Sequence, residues 1–178
     1  MTRLLSGHKA GFLIVCALFA NLANAHSASD SYLSLEVEKI PYSQRPNAIR
    51  GQWDIALRDL DFVLRIDDDG DGKITWKELQ RHEKAIEKYA FAHLDARSDA
   101  GACTFHPKRQ MVIDHADGAY AALFFDLNCV GEPHHIWLNY HLFFAVDPSH
   151  RAILIMRSAG DTATALLSPE NSRLEFKP

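Results

Sequence analysis

The chain has 178 residues, 47% of them hydrophobic, with 19 Lys and Arg against 23 Asp and Glu and a formal net charge of −4. This length and apolar content suffice for one domain with a real core. The negative balance argues against nucleic acid or an anionic membrane surface as a partner.

Residues 1–25 read as an export signal. Arg3 and Lys9 give a positive start, residues 10–22 form an uncharged and mostly apolar run, and Ala23, Asn24 and Ala25 fit the small-x-small cleavage pattern. The run is too short to span a bilayer comfortably. Cys16 follows Val15 rather than the small residue that lipid attachment needs. Cleavage after Ala25 would leave a mature chain starting at His26, with 17 basic and 23 acidic side chains. The expected location is therefore periplasmic or secreted. Two cysteines then remain, Cys103 and Cys129, and an even count in an oxidising compartment reads as a disulfide. Two buried thiols, or a soft-metal pair, are the competing readings.

Leu33, Leu35 and Val37 alternate with polar residues, as do Ile49, Gly51, Trp53, Ile55 and Leu57, so two half-buried strands are predicted, joined by a connection around Pro41 and Pro46. Two helices follow over about residues 59–94, closed by the turn-forming run 97–101. The second half reads as strands. Residues 111–115 make a short one, and Ala121, Leu123, Phe125, Leu127 and Cys129 share a face of the next. Ile136, Leu138, Tyr140, Leu142 and Phe144 share a face of another, and segments 151–157, 163–167 and 173–176 complete the set. The predicted fold is one mainly β, β-sandwich-like domain over residues 26–178, with a helix–loop–helix EF-hand inserted at about 59–94. An open sheet with helices on one face is the alternative.

Residues 67–78 join the two helices and carry the strongest motif. Asp67, Asp69 and Asp71 stand at positions 1, 3 and 5 of a twelve-residue calcium loop, with Gly72 at the sharp turn of position 6. Lys73 offers only its backbone carbonyl, Thr75 ligates through a water, and Glu78 at position 12 brings two oxygens from one carboxylate. A hard divalent cation wants six to eight oxygens, and Ca2+ is the ion this alternation serves. An acidic Asp-Gly turn would explain the centre of the motif but neither Glu78 nor the apolar Ile74 at position 8. The four ligand carboxylates and the bystander Asp68 crowd one turn, a repulsion relieved only partly by Lys73 and Lys77. A second candidate loop starting at Asp95 fails, with Arg97, Ala100 and His106 at ligand or turn positions.

Residues 26–33 (HSASDSYL), 52–61 (QWDIALRDLD), the loop and residues 117–120 (DGAY) occur in this order. Together they resemble the exported N-terminal region of HupE/UreJ-type bacterial membrane proteins that carry an EF-hand. In that family a hydrophobic multi-helix block associated with nickel or cobalt traffic normally follows. No such block lies within these residues, so transport is not carried over. The resemblance implies a free-standing periplasmic module or one whose membrane protein partner is a separate polypeptide.

The leading expectation is a non-enzymatic, exported calcium-binding protein in which the ion orders a docking or structural surface. The alternative is a Ni, Cu or Co binding or delivery module using the mature N-terminal His26, with His134, His135 and His141 as further imidazoles. Against it, no ligand-spacing motif is present, and surface or sheet-face histidines are the ordinary explanation. An enzyme has little support: the known hydrolase, zinc-protease and phosphate-loop motifs are absent, and Asp114, His115 and Asp117 have no nucleophile beside them in sequence.

Overall fold

The computed structural model describes residues 29–37, 49–131, 133–158 and 160–178. The expected export signal, its expected cleavage point at Ala25, His26 and the connection holding Pro41 and Pro46 lie outside the described residues.

The chain is mainly β. In order run β1 (Asp30–Val37), β2 (Ile49–Ala56), α1 (Leu57–Leu64), α2 (Trp76–Phe91), β3 (Leu94–Ser98), β4 (Gly101–Ala102), β5 (Thr104–His115), β6 (Gly118–Asn128), β7 (Ile136–Tyr140), β8 (Arg151–Ser158), β9 (Asp161–Leu167) and β10 (Arg173–Phe176). They form a six-stranded sheet, β5-β6-β2-β1-β8-β9, and a four-stranded sheet, β10-β7-β3-β4. Neighbours pair antiparallel except β1 with β8, which run parallel.

The alternation in sequence is the alternation in burial. Leu33 of β1 stands opposite Trp53 of β2, which stands opposite Leu123 of β6. This row faces the core, and a one-residue slip would turn it to solvent, so the apolar period fixes the register. The other sheet contributes Leu94, Ala96, Ile136, Leu138, Tyr140 and Phe176 to the same core. Trp53 has no exposed surface and meets Tyr140 of the second sheet and Phe91 of α2, at centroid separations of 5.6 and 6.2 Å. Leu57, Leu60, Leu79, Ile86 and Ala90 turn the apolar sides of both helices into this cluster. Gly51 is required in β2 because a Cβ there would lie 2.0 Å from the Phe125 ring.

Three boundaries differ from expectation. The strand predicted through Leu142 and Phe144 stops at Tyr140, and Phe143 takes the left-handed conformation with φ 60°. A turn there puts both Leu142 and Phe143 into the core, which a continuing strand cannot do for adjacent residues. The short strand expected at 111–115 is the end of the twelve-residue β5. β5 is an edge strand, exposed along most of its length, so no apolar period announces it. The first helix begins at Leu57, where the second strand was expected to continue.

Cys103 and Cys129 form a disulfide. They extend the β5–β6 pairing one step beyond Thr104 and Asn128, so the bridge closes the open end of that hairpin. Among the described residues no helix is long and apolar enough to cross a membrane.

Candidate metal site and a buried polar relay

α1 is short and ends abruptly. Arg65 caps it in the left-handed conformation, φ 54° and ψ 60°, donating its N–H to Asp61 O. The Asp61 side chain then accepts from the backbone N–H of Asp67 at 2.9 Å. Ile66 is fully buried, which anchors the loop's entry to the core.

From Asp67 onward the acidic side chains fold the loop around themselves. Asp67 accepts from Gly70 N at 2.8 Å on one oxygen and from Gly72 N at 2.8 Å on the other. Asp69 accepts from Asp71 N at 3.2 Å, and Asp71 from Lys73 N at 2.7 Å. Gly70 and Gly72 have φ of 72° and 80°, a region that costs any other residue steric strain. The N–H groups thus hold the carboxylates from behind, and one oxygen from each of Asp67, Asp69 and Asp71 falls within 4.8 Å of the others. Asp67 is half-buried, while Asp69, Asp71 and Lys73 are exposed. Ile74 packs against the core, so the loop is pinned at its exit as well as its entry.

Glu78 is buried and does not belong to that tight group of three. Thr75 caps α2 and forms a reciprocal capping box with it, Glu78 N donating to Thr75 Oγ1 and Thr75 N to Glu78 Oε2. The Thr75 hydroxyl donates to the same oxygen at 2.7 Å, and Asp68 N donates to Glu78 Oε1 at 2.9 Å. The Thr75 donors above all hold the Glu78 carboxyl below its usual range. A ligand facing Asp71 across a calcium ion would stand about 4.6–5.2 Å from it, at twice the usual Ca–O length. Lying outside a 4.8 Å group is therefore compatible with that position. The donor set is all oxygen, and the N–H groups around it are turned onto carboxylates. Those residues fit a hard cation.

Asp68, at a non-ligand position, has partners on α2: its carboxylate is ion-paired with Arg81 Nη1 and lies 2.9 Å from His82 Nε2.

A second constellation has no counterpart in the sequence motifs. His150 is fully buried, with Nδ1 2.7 Å from Ser29 Oγ and Nε2 2.7 Å from Tyr140 Oη, which in turn lies 2.7 Å from Ser31 Oγ. Ser29 donates its single hydroxyl proton to Asp59 Oδ2 at 2.9 Å. The His150 Nδ1–H must then donate to Ser29, which leaves Nε2 to accept from Tyr140, and Tyr140 to accept from Ser31. Every proton in the chain points toward the Asp59 carboxylate on α1. Burial raises the Asp59 carboxyl above its ordinary value and pushes His150 down to about 4, with Asp147 opposing the latter and Arg151 adding to it. A hydrolase triad is not this arrangement, because the serine proton is given to the carboxylate rather than to the imidazole.

Other histidines and acids make ordinary pairings. His115 meets Asp54 at 3.2 Å and stacks on Tyr32, and Asp117 is held by Tyr120 and Arg58, which keep its carboxyl low. His135 bonds Glu175 at 2.6 Å. β7 spans Ile136–Tyr140, so His134, His135 and His141 all lie outside it.

No protein-family model matches this sequence, and no curated protein matches it.

Proposed function

We propose that this is an exported, non-enzymatic calcium-binding protein. One Ca2+ would be taken by the loop at 67–78 through the carboxylates of Asp67, Asp69, Asp71 and Glu78, the backbone carbonyl of Lys73 and a water held at Thr75. On this reading α1, the loop and α2 form a single EF-hand set against the two sheets. The observation that carries it is the folded loop, where four backbone N–H groups hold three aspartates with their oxygens within 4.8 Å. The cation supplies the positive charge that offsets crowded carboxylates, while the chain supplies a loop already fixed at Ile66 and Ile74. The role proposed for the ion is therefore to set the loop, the end of α1 and the start of α2 as a docking or structural surface. Export is supported by the signal-like residues 1–25 and by the disulfide, which suits an oxidising compartment. A membrane protein partner is proposed on the HupE/UreJ resemblance alone.

Glu78→Gln tests the ion assignment. Trp76, at position 10 and 50% exposed, reports the loop by fluorescence. The variant should lose calcium far more than magnesium, because Mg2+ is usually bound through fewer carboxylate oxygens. Equal losses for both ions would count against an EF-type site.

A further inference from the structure

Asp68 occupies no ligand position, yet it is tied to α2 through both its main chain and its side chain. Its backbone N–H donates to Glu78 Oε1, and its carboxylate is gripped by Arg81 and, at 2.9 Å, by His82 Nε2. Glu78, Arg81 and His82 stand at i, i+3 and i+4, one above the other on a single face of α2. One loop residue therefore closes two linked rings on one helical turn, through its main chain to the carboxylate and through its side chain to the residues beyond. We propose, resting on the calcium reading above, that Asp68 held by Arg81 and His82 is a positioning residue that sets the Glu78 carboxylate for the cation.

Thr75 orients the Glu78 carboxylate through Oε2, by its N–H and its O–H. Asp68 adds the donor on Oε1 and so fixes the rotation of the carboxylate plane. Its own N–H stays in place because the side chain of the same residue is tied to the helix. This is the outer-shell logic of metal sites, in which a ligand's partner governs its orientation and loss of that partner costs affinity.

The competing view is an exposed ion pair of small consequence, since Arg81 is 52% exposed. The two views give opposite signs. As a mere charge, Arg81 repels a cation in the neighbouring loop, and its removal tightens calcium binding. As part of a positioning device, its removal frees Asp68, loosens Glu78 and weakens binding.

The test is calcium titration and chelator-triggered calcium release in the full mature chain, comparing wild type with Arg81→Gln, Arg81→Lys and His82→Gln. Arg81→Gln should bind roughly tenfold more weakly and release faster, in line with other outer-shell losses. Arg81→Lys should recover most of the difference, and His82→Gln should change in the same direction as Arg81→Gln. In calcium-free protein, exchange of the Asp68 amide hydrogen should quicken in Arg81→Gln, a readout that needs no metal. Equal or tighter calcium binding by Arg81→Gln overturns the proposal. Failure of the wild-type chain to take up calcium would refute the underlying reading instead, and is seen before any variant is compared.

Discussion

Acidification should unfold this protein through His150, and the effect is large enough to isolate. The imidazole is buried and neutral, with a pKa pushed down to about 4. In the unfolded chain it returns to about 6.5. Between those values the unfolded state binds a proton that the folded state refuses. Stability is thus undiminished above about pH 6.5 and falls as pH drops toward 4. A gap of about 2.5 units at about 1.36 kcal/mol each amounts to about 3 kcal/mol when complete, and about 2 kcal/mol of it is lost between pH 7 and 4.5. Asp59 opposes this, because its raised folded value lets the folded state take up a proton first. The depressed carboxyls of Asp117 and Asp147 add to the acid loss at lower pH. The His150 share is therefore read as a difference. Urea unfolding of wild type and His150→Gln, in calcium-free buffer from pH 7.5 to 4.5, should give a steeper decline for wild type by about 2 kcal/mol. Parallel pH profiles would refute the claim that burial holds His150 neutral in the folded state.

Other consequences are simpler. Gly51→Ala forces the Phe125 ring out of a packed core and should cost about 1–3 kcal/mol in denaturant unfolding, with no change in secondary structure. Replacing both Cys103 and Cys129 by serine removes a bridge across 26 residues, and chain entropy predicts a loss of about 3.5 kcal/mol with metal stoichiometry unchanged. In the loop, Lys73→Ala should leave calcium affinity nearly unaltered, because only the carbonyl is used. Gly72→Ala should weaken it by calorimetry, since φ of 80° costs a Cβ about 1–2 kcal/mol.

Some of this was legible in the chain and some was not, for physical reasons. A twelve-residue loop carries all its chemistry within one local stretch, so its residue types and spacing can be read directly. Strands buried on one face write a period of two, which is why Leu33 to Val37 and Ala121 to Leu127 announce themselves. β5 is exposed along an edge and writes no such period. Phe143 breaks its pattern because adjacent residues Leu142 and Phe143 are both needed in the core. The relay could not be found at all, since Ser29 and His150 are 121 residues apart and each is unremarkable alone. The partners of Asp68 were hidden for a related reason: they lie 13 and 14 residues on, brought back by the turn of the loop.

The measurement closest to the central claim is calorimetric titration of the chelator-treated mature protein with calcium, run beside Asp67→Asn. The account predicts saturation at one equivalent, a dissociation constant measurable in the millimolar range or below, and loss of that heat in the variant. A wild-type titration with no saturable calcium binding, or one that survives Asp67→Asn unchanged, would contradict it.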